Sequence, residues 1–213
     1  MAGQCVEYPI FLDLRNRKCV VVGGGTVAER KVLGLLAAGA RVWVIAPSVS
    51  ESLEGLAADH RVQLERRHFC RGDVKGAALV FAATDTSPVN DEVERAAGEN
   101  GVPVNRADPK GPGDFSVPST LRRGGFQVAV STGGASPAYA RMVRRHLENV
   151  LGREHGSMAD YLARLRPRVM ARFPDSPARR KAVWDLLVNW ETVDLVRRER
   201  WDELDRKVRE CLS

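Results

Sequence analysis

The sequence is short of the residue patterns that mark several kinds of protein. Its four cysteines, at positions 5, 19, 70 and 211, form no Cys-x-x-Cys pair, so neither a zinc knuckle nor a disulfide framework is written in it. The four histidines, at 60, 68, 146 and 155, show no His-x-x-x-His or His-Glu-x-x-His spacing, and no metal site is expected. No run of about 18 apolar residues exists to cross a membrane, and the N-terminus lacks the basic-then-apolar build of a secretory leader. A cytoplasmic protein with reduced thiols and no membrane partner is expected. Charge is nearly balanced over residues 1–138, with 16 basic and 15 acidic side chains, and only residues 139–213 are clearly basic, 17 against 12. A polyanionic small molecule, nucleic acid or a solvated helical surface would each suit that tail. Its arginines are interleaved with acids and carry no nucleic-acid motif, so no nucleic-acid partner is expected.

What the chain does have is glycine in a telling place. Cys19 to Val22 reads as a buried strand, Gly23-Gly24-Gly25 as a tight turn, and Val32, Leu35 and Leu36 as the stripe of a helix that stops at Gly39. Gly23, Gly25 and Ala28 fit the dinucleotide spacing Gly-x-Gly-x-x-Gly/Ala, with a helix N-terminus aimed at the phosphates. A bare structural turn is the other reading of three glycines. No Gly-Lys-Ser/Thr follows, so this is not a P-loop.

The rhythm repeats. Arg41 to Ile45 is a second strand, and Ser48 is placed to cap a helix carrying Val49, Leu53 and Leu56. That strand ends without the Asp or Glu that usually holds adenosine ribose hydroxyls, and no Arg follows it, which leans toward NAD over NADP. Val62 to Glu65 and Ala78 to Ala83 are third and fourth strands. Thr84 and Asp85 then sit at a strand C-terminus, either contacting a cofactor or starting the next turn. Ser87-Pro88 opens a helix with Val89, Val93 and Ala97 inward, and Val102 to Asn105 is a fifth strand that Pro103 assigns to a sheet edge. Asp108 follows at the same open end as the glycines, as a catalytic acid or as a turn residue, before the breaker-rich Pro109-Lys110-Gly111-Pro112-Gly113. Tyr8 to Leu14 is expected to lie against the sheet edge.

From Phe115 the pattern changes to two strands, Phe115–Leu121 and Phe126–Val130, about a glycine turn. Ser131-Thr132-Gly133-Gly134 leads through Ser136-Pro137 into a helix from about 138 to 151, a loop that would bind an anion or merely connect. Beyond Gly152 all is helical: Ser157 caps a segment with Met158, Tyr161, Leu162 and Leu165, Pro167 bends or ends it, and Val183, Leu186, Leu187 and Trp190 continue the spacing, with Trp201, Leu204 and Val208 last. The fold class is therefore α/β, a Rossmann-like doubly wound parallel sheet followed by a small α+β segment and a helical C-terminal domain. Its divisions are 1–114, 115–151 and 152–213.

Taken in order, these residues resemble the precorrin-2 dehydrogenase family, the module that also forms the N-terminal half of multifunctional siroheme synthases. The resemblance rests on Tyr8-Pro9-Ile10-Phe11-Leu12, Val22 to Lys31, Ala82-Ala83-Thr84-Asp85 with Val89-Asn90, Val104-Asn105 with Asp108, Phe115, Pro118-Ser119, and Val130 to Gly134 before Ser136-Pro137. It implies NAD-dependent oxidation of precorrin-2 to sirohydrochlorin in siroheme or cobalamin synthesis, with ferrous iron insertion an added step in some members. It also implies a homodimer formed through 115–151, with each active site in the cleft between the nucleotide domain and that segment. The methyltransferase half is not expected in 213 residues. Gly23, Gly24, Gly25, Thr26 and Val27, then Pro47 and Ser48, then Thr84 and Asp85 become the expected cofactor contacts. Asp108 becomes the acid at the tetrapyrrole, and the Ser131, Thr132, Gly133 and Gly134 loop borders the substrate. A polycarboxylate substrate further suggests Arg141, Arg144 and Arg145 as its partners. A competing reading keeps the glycine fingerprint but makes the chain a non-catalytic NAD-sensing regulatory module.

Overall fold

Apolar runs of four or five residues need cover on both faces, and the first half of the chain supplies it. The computed structural model describes residues 7–108, 111 and 113–212. They form two compact units, 7–117 and 118–212. In the first, strands β1 (Lys18–Val22), β2 (Arg41–Ile45), β3 (Gln63–Glu65), β4 (Leu79–Ala82) and β5 (Val104–Arg106) make one parallel sheet in the order β3-β2-β1-β4-β5. Helices α1 (Thr26–Ala37) and α2 (Glu51–Ala58) cover one face, where Val21, Val44 and Phe81 meet Val32, Leu35 and Leu53. Helix α3 (Ser87–Glu99) covers the other, where Val20, Val22 and Val80 meet Val93, Ala96 and Ala97. Alternate residues of one strand thus enter different cores, which is why β1 and β4 read as unbroken apolar runs.

Two expectations for this unit are corrected. Tyr8 to Leu12 forms no strand and Tyr8, Ile10, Phe11 and Leu12 are exposed; only Leu14 enters the core. The cap of α2 is Ser50, whose hydroxyl accepts from the Leu53 N–H at 3.4 Å, because the chain runs on past Ser48 before turning helical. Pro109, Lys110 and Pro112 of the breaker-rich loop lie outside the described residues.

The second unit pairs β6 (Ser119–Arg123) with β7 (Phe126–Val130) in an antiparallel hairpin turning at Gly124-Gly125. Five helices follow: α4 (Pro137–Val150), α5 (Arg153–Arg172), α6 (Pro177–Leu187), α7 (Trp190–Arg197) and α8 (Trp201–Leu212). Phe115 belongs to the first unit, edge-on to Phe81 at 5.4 Å, so the hairpin starts later than its apolar pattern suggested. Helix α5 begins at Arg153, well before Ser157, and continues through Pro167. The bond that Pro167 omits would run to Ala163, and both residues are exposed, so water can take the orphan carbonyl. The stripe from Val183 to Trp190 is split: Val183 and Leu187 are buried in α6, whereas Asn189 caps α7 by accepting from the Thr192 N–H at 3.0 Å, leaving Leu186 and Trp190 exposed.

Candidate functional site

The sheet reverses its winding between β1 and β4, and in open parallel sheets the crevice beyond the strand ends at such a reversal takes the ligand. Three glycines occupy it, each for a different reason. Gly23 has φ +132°, and a Cβ there would stand 2.2 Å from the Ala83 carbonyl oxygen at the end of β4. A Cβ on Gly24 would stand 1.9 Å from the Ser48 carbonyl oxygen, while its own carbonyl accepts from the Ser50 N–H at 2.9 Å. Gly25 has nothing within 4 Å of where a Cβ would be. It precedes α1 in an extended conformation with no side-chain cap, so the first N–H groups of α1 lack an intrahelical acceptor. Thr26 and Val27 are exposed beside it, and Ala28, fully buried, sets the helix on the sheet. Open space over a helix N-terminus, bounded by two turns that only glycine can make, fits a dinucleotide pyrophosphate.

Beyond β2, Pro47 and Ser48 are exposed. Ser50 donates its hydroxyl to the Glu29 carboxylate at 3.0 Å. An acid therefore does reach the loop after β2, but from α1 rather than from the strand end.

The turn after β4 is organised by Asn90, which is fully buried. Its Oδ1 accepts from the Thr84 N–H at 3.2 Å and from the Thr84 hydroxyl at 2.8 Å, and its Nδ2 donates to the Thr84 carbonyl at 3.0 Å and to Asp108 Oδ2 at 3.1 Å. Asp85 is exposed and accepts from the Thr86 hydroxyl at 3.2 Å. Asp108 thus lies near Thr84, at the sheet's ligand end. Arg106, the last residue of β5, grips it with a two-toothed fork, Nε to Oδ1 at 3.0 Å and Nη2 to Oδ2 at 2.6 Å, and Ser87 Oγ stands 3.4 Å from Oδ2. At Asp108 the carboxylate accepts in each of these bonds.

Arg106 is the residue that the sequence reading passed over. Its side chain is 3% exposed and also pairs through Nη1 with Asp91 at 2.8 Å and with Glu94 at 2.5 Å. The hydrogen bond to Asp108, then those to Asp91 and Glu94, raise its already high pKa further, so it is a permanent buried cation. The signal was a basic residue directly after the fifth strand and two positions before the acid; the structure extends the strand to include it. Its helix partners, 12 and 15 residues earlier, become neighbours only through the β4–α3–β5 crossover.

The second unit carries the remaining expected residues. Gly133 and Gly134 both take positive φ, at +58° and +80°, and the loop is self-bonded: Ser131 Oγ accepts from the Gly133 N–H at 3.1 Å and Thr132 Oγ1 from the Ser136 N–H at 3.0 Å. Ser136 caps α4, accepting from the Tyr139 N–H at 3.2 Å. On α4, Arg141 and Arg145 are exposed, whereas Arg144 is half-buried and paired with Glu148.

Three family models match the chain in succession: an NAD(P)-binding family over residues 10–119, the sirohaem biosynthesis protein central region over 123–149, and the sirohaem synthase dimerisation region over 154–212. Among curated relatives, a siroheme synthase of Nitrosococcus oceani is 42% identical over 87% of this chain and 38% of its own length. One from Pseudomonas paraeruginosa is 38% identical over 96% of this chain and 44% of its own. The chain therefore spans roughly two fifths of these relatives. A solved structure titled "SirC, precorrin-2 dehydrogenase" matches with a TM-score of 0.76 and 26% identity, over 94% of this chain and 100% of that one. With a glycine cradle at the switch point and the matching model covering more than half of its length, the chain belongs to the NAD(P)-binding family matched over residues 10–119, followed in order by regions that match the sirohaem central and dimerisation models.

Proposed function

We propose that this protein oxidises precorrin-2 to sirohydrochlorin with NAD as the hydride acceptor. The observation that carries the reading is a largely shielded, oriented carboxylate, Asp108, joined through Asn90 to the loop beside a dinucleotide cradle. Likeness to a precorrin-2 dehydrogenase along nearly the whole chain supports it. Dehydrogenation breaks a C–H bond, its electron pair leaving as hydride, and releases one proton to a base. When bound, NAD supplies the hydride acceptor. Gly23, Gly24, Gly25, Thr26 and Val27 hold the pyrophosphate, Pro47 and Ser48 the adenosine end, and Thr84 and Asp85 the side toward the acid. Asp108 takes the proton or orients the ring nitrogens. Ser131, Thr132, Gly133 and Gly134 with Arg141, Arg144 and Arg145 meet the substrate's carboxylates, Arg144 after yielding its pairing with Glu148.

The same reading makes the protein a cytoplasmic homodimer. The sequence assigned dimer contacts to 115–151, and the match to a sirohaem synthase dimerisation region over 154–212 supports assembly through the helical segment. Free thiols at Cys19, Cys70 and Cys211 suit a reducing compartment.

The test is an anaerobic assay of the purified chain with precorrin-2 and NAD, following nicotinamide reduction and the sirohydrochlorin spectrum, with Asp108→Ala alongside. Turnover lost in the variant with NAD affinity kept is the expected result, and ferrous iron added afterwards tests insertion. NAD binding without turnover in the natural chain would favour the sensor reading.

A further inference from the structure

A buried side-chain amide offers two acceptor lone pairs and two donors, and Asn90 directs all four. Three of the bonds go to one residue, Thr84, and these fix which way the amide faces. Turning it over would set its NH2 against the Thr84 N–H, donor to donor, so the backbone itself dictates that oxygen lies toward that N–H. The remaining donor then has one direction left, and it meets Asp108 Oδ2 at 3.1 Å. A side chain needed only to pin the β4 turn would be complete with the Thr84 bonds. On its other flank, Asp108 is held by Arg106, which is itself fixed by Asp91 and Glu94 of α3. The acid is therefore suspended between a rigid ion-pair anchor and an amide whose orientation is set by the nucleotide loop.

We propose that Asn90 is a positioning residue that couples the dinucleotide loop to the acid, so that the conformation Thr84 adopts around bound NAD sets where the Asp108 carboxylate lies and what it can accept. The proposal rests on the reading of Asp108 as the acid of the dehydrogenation. It explains why an amide, rather than an apolar residue, occupies the fully buried fourth position of α3.

The test uses the full chain with precorrin-2 and NAD, reading kcat, KM for NAD, the pH profile of kcat, and NAD affinity by calorimetry without substrate. Asn90→Asp is isosteric and puts an acceptor where the donor to Asp108 stood. It is expected to lower kcat by about tenfold to a hundredfold and to move the acidic limb of the profile up by about one unit, because two carboxylates now share one site. Thr84→Val leaves the buried amide and its two backbone bonds in place and removes the hydroxyl, which bonds Asn90 Oδ1 and also accepts from the Thr86 N–H at 3.2 Å; the same limb is expected to move, by less. That variant keeps the proposal testable if Asn90→Asp does not fold. Limbs that stay put in the folded variants, with NAD affinity alone weakened, would reduce Asn90 to a pin for the loop and overturn the coupling. Asp108→Ala in the same series separates the two failures: retained turnover there overturns the assignment of the acid and the coupling with it, whereas lost turnover with unmoved limbs overturns the coupling alone.

Discussion

Residues 7–117 and 118–212 solve the problem of covering apolar surface in different ways. In the first, a five-stranded sheet has a helical layer on each face, and the strand residues of β1, β4 and β5 are almost all buried. In the second, a two-stranded hairpin, which would be marginal alone, leans on helices whose cores are small clusters. Helix α4 shows the contrast most clearly: of its fourteen residues only Ala140 is buried, while Tyr139, Met142 and Val150 are each more than half exposed. A ligand site needs a frame that is complete without the ligand. A surface meant for association needs apolar area left over, and contiguous exposed apolar residues are its usual mark.

Tryptophan placement makes this comparison testable, since Trp43 is the one tryptophan before residue 118 and Trp184, Trp190 and Trp201 lie after it. The largest effect is expected from Arg106→Met, which leaves Asp91, Glu94 and Asp108 around an uncharged chain. Removing one partner of a buried ion pair costs about 3–5 kcal/mol. Urea unfolding should show the loss in the transition reported by Trp43, with the helical unit followed separately in a Trp43→Phe background. An equal shift in both transitions would break the distinction drawn between the units.

Next come the glycines. Gly23→Ala meets the Ala83 carbonyl in a strained backbone conformation and is expected to cost about 2–3 kcal/mol and to abolish NAD binding. Gly25→Ala meets nothing in the protein, so the melting temperature should hold while NAD affinity falls about tenfold, a difference of about 1.4 kcal/mol in binding. Unchanged affinity in Gly25→Ala would move the pyrophosphate away from that space.

The smallest effect is an acid limit. Arg67 hydrogen-bonds Asp73 through both terminal nitrogens at 2.8 Å and, despite partial burial, holds its carboxyl below the usual range; the Cys70 N–H adds a bond at 2.8 Å. A lowered carboxyl pKa stabilises above the unfolded value of about 3.9 and loses that contribution as pH falls through the lower folded value. Arg67→Ala should therefore raise the pH at which the Trp43 transition begins on acidification. A midpoint independent of Arg67 would assign acid sensitivity elsewhere.

The strand-turn-helix frame of the glycines was legible because it is encoded within a few residues, whereas the close approaches of Gly23 to Ala83 and of Gly24 to Ser48 were not. Asp108 was legible as a position, but its surroundings were not. Arg106 looks like a loop residue just past a strand until α3 brings Asp91 and Glu94 across it, and Asn90 looks like an ordinary helix residue until the turn after β4 folds against it. Ser48 was read as the cap of α2 but Ser50 fills that place, and the neighbours of both, the Gly24 backbone against the Ser48 carbonyl and the Gly24 carbonyl accepting from the Ser50 N–H, are tertiary contacts that the local pattern does not carry. Pro167 does not end its helix: of the two outcomes its sequence allowed, termination is excluded, and the carbonyl it orphans lies on an exposed face where water can serve it.

The margin of the five-stranded sheet beyond β5 is closed, from within the chain itself, to strand addition. Beyond β5, Asp114 returns along the strand: its N–H donates to the Val104 carbonyl at 2.8 Å and its carboxylate accepts the Val104 N–H at 2.9 Å, while Gly113 bridges to Asn105. The backbone groups through which a stray strand would add are already engaged there, and Pro103 offers no N–H. At the opposite margin β3 presents only three residues. Growth of this sheet from molecule to molecule is closed off at one border and starved at the other.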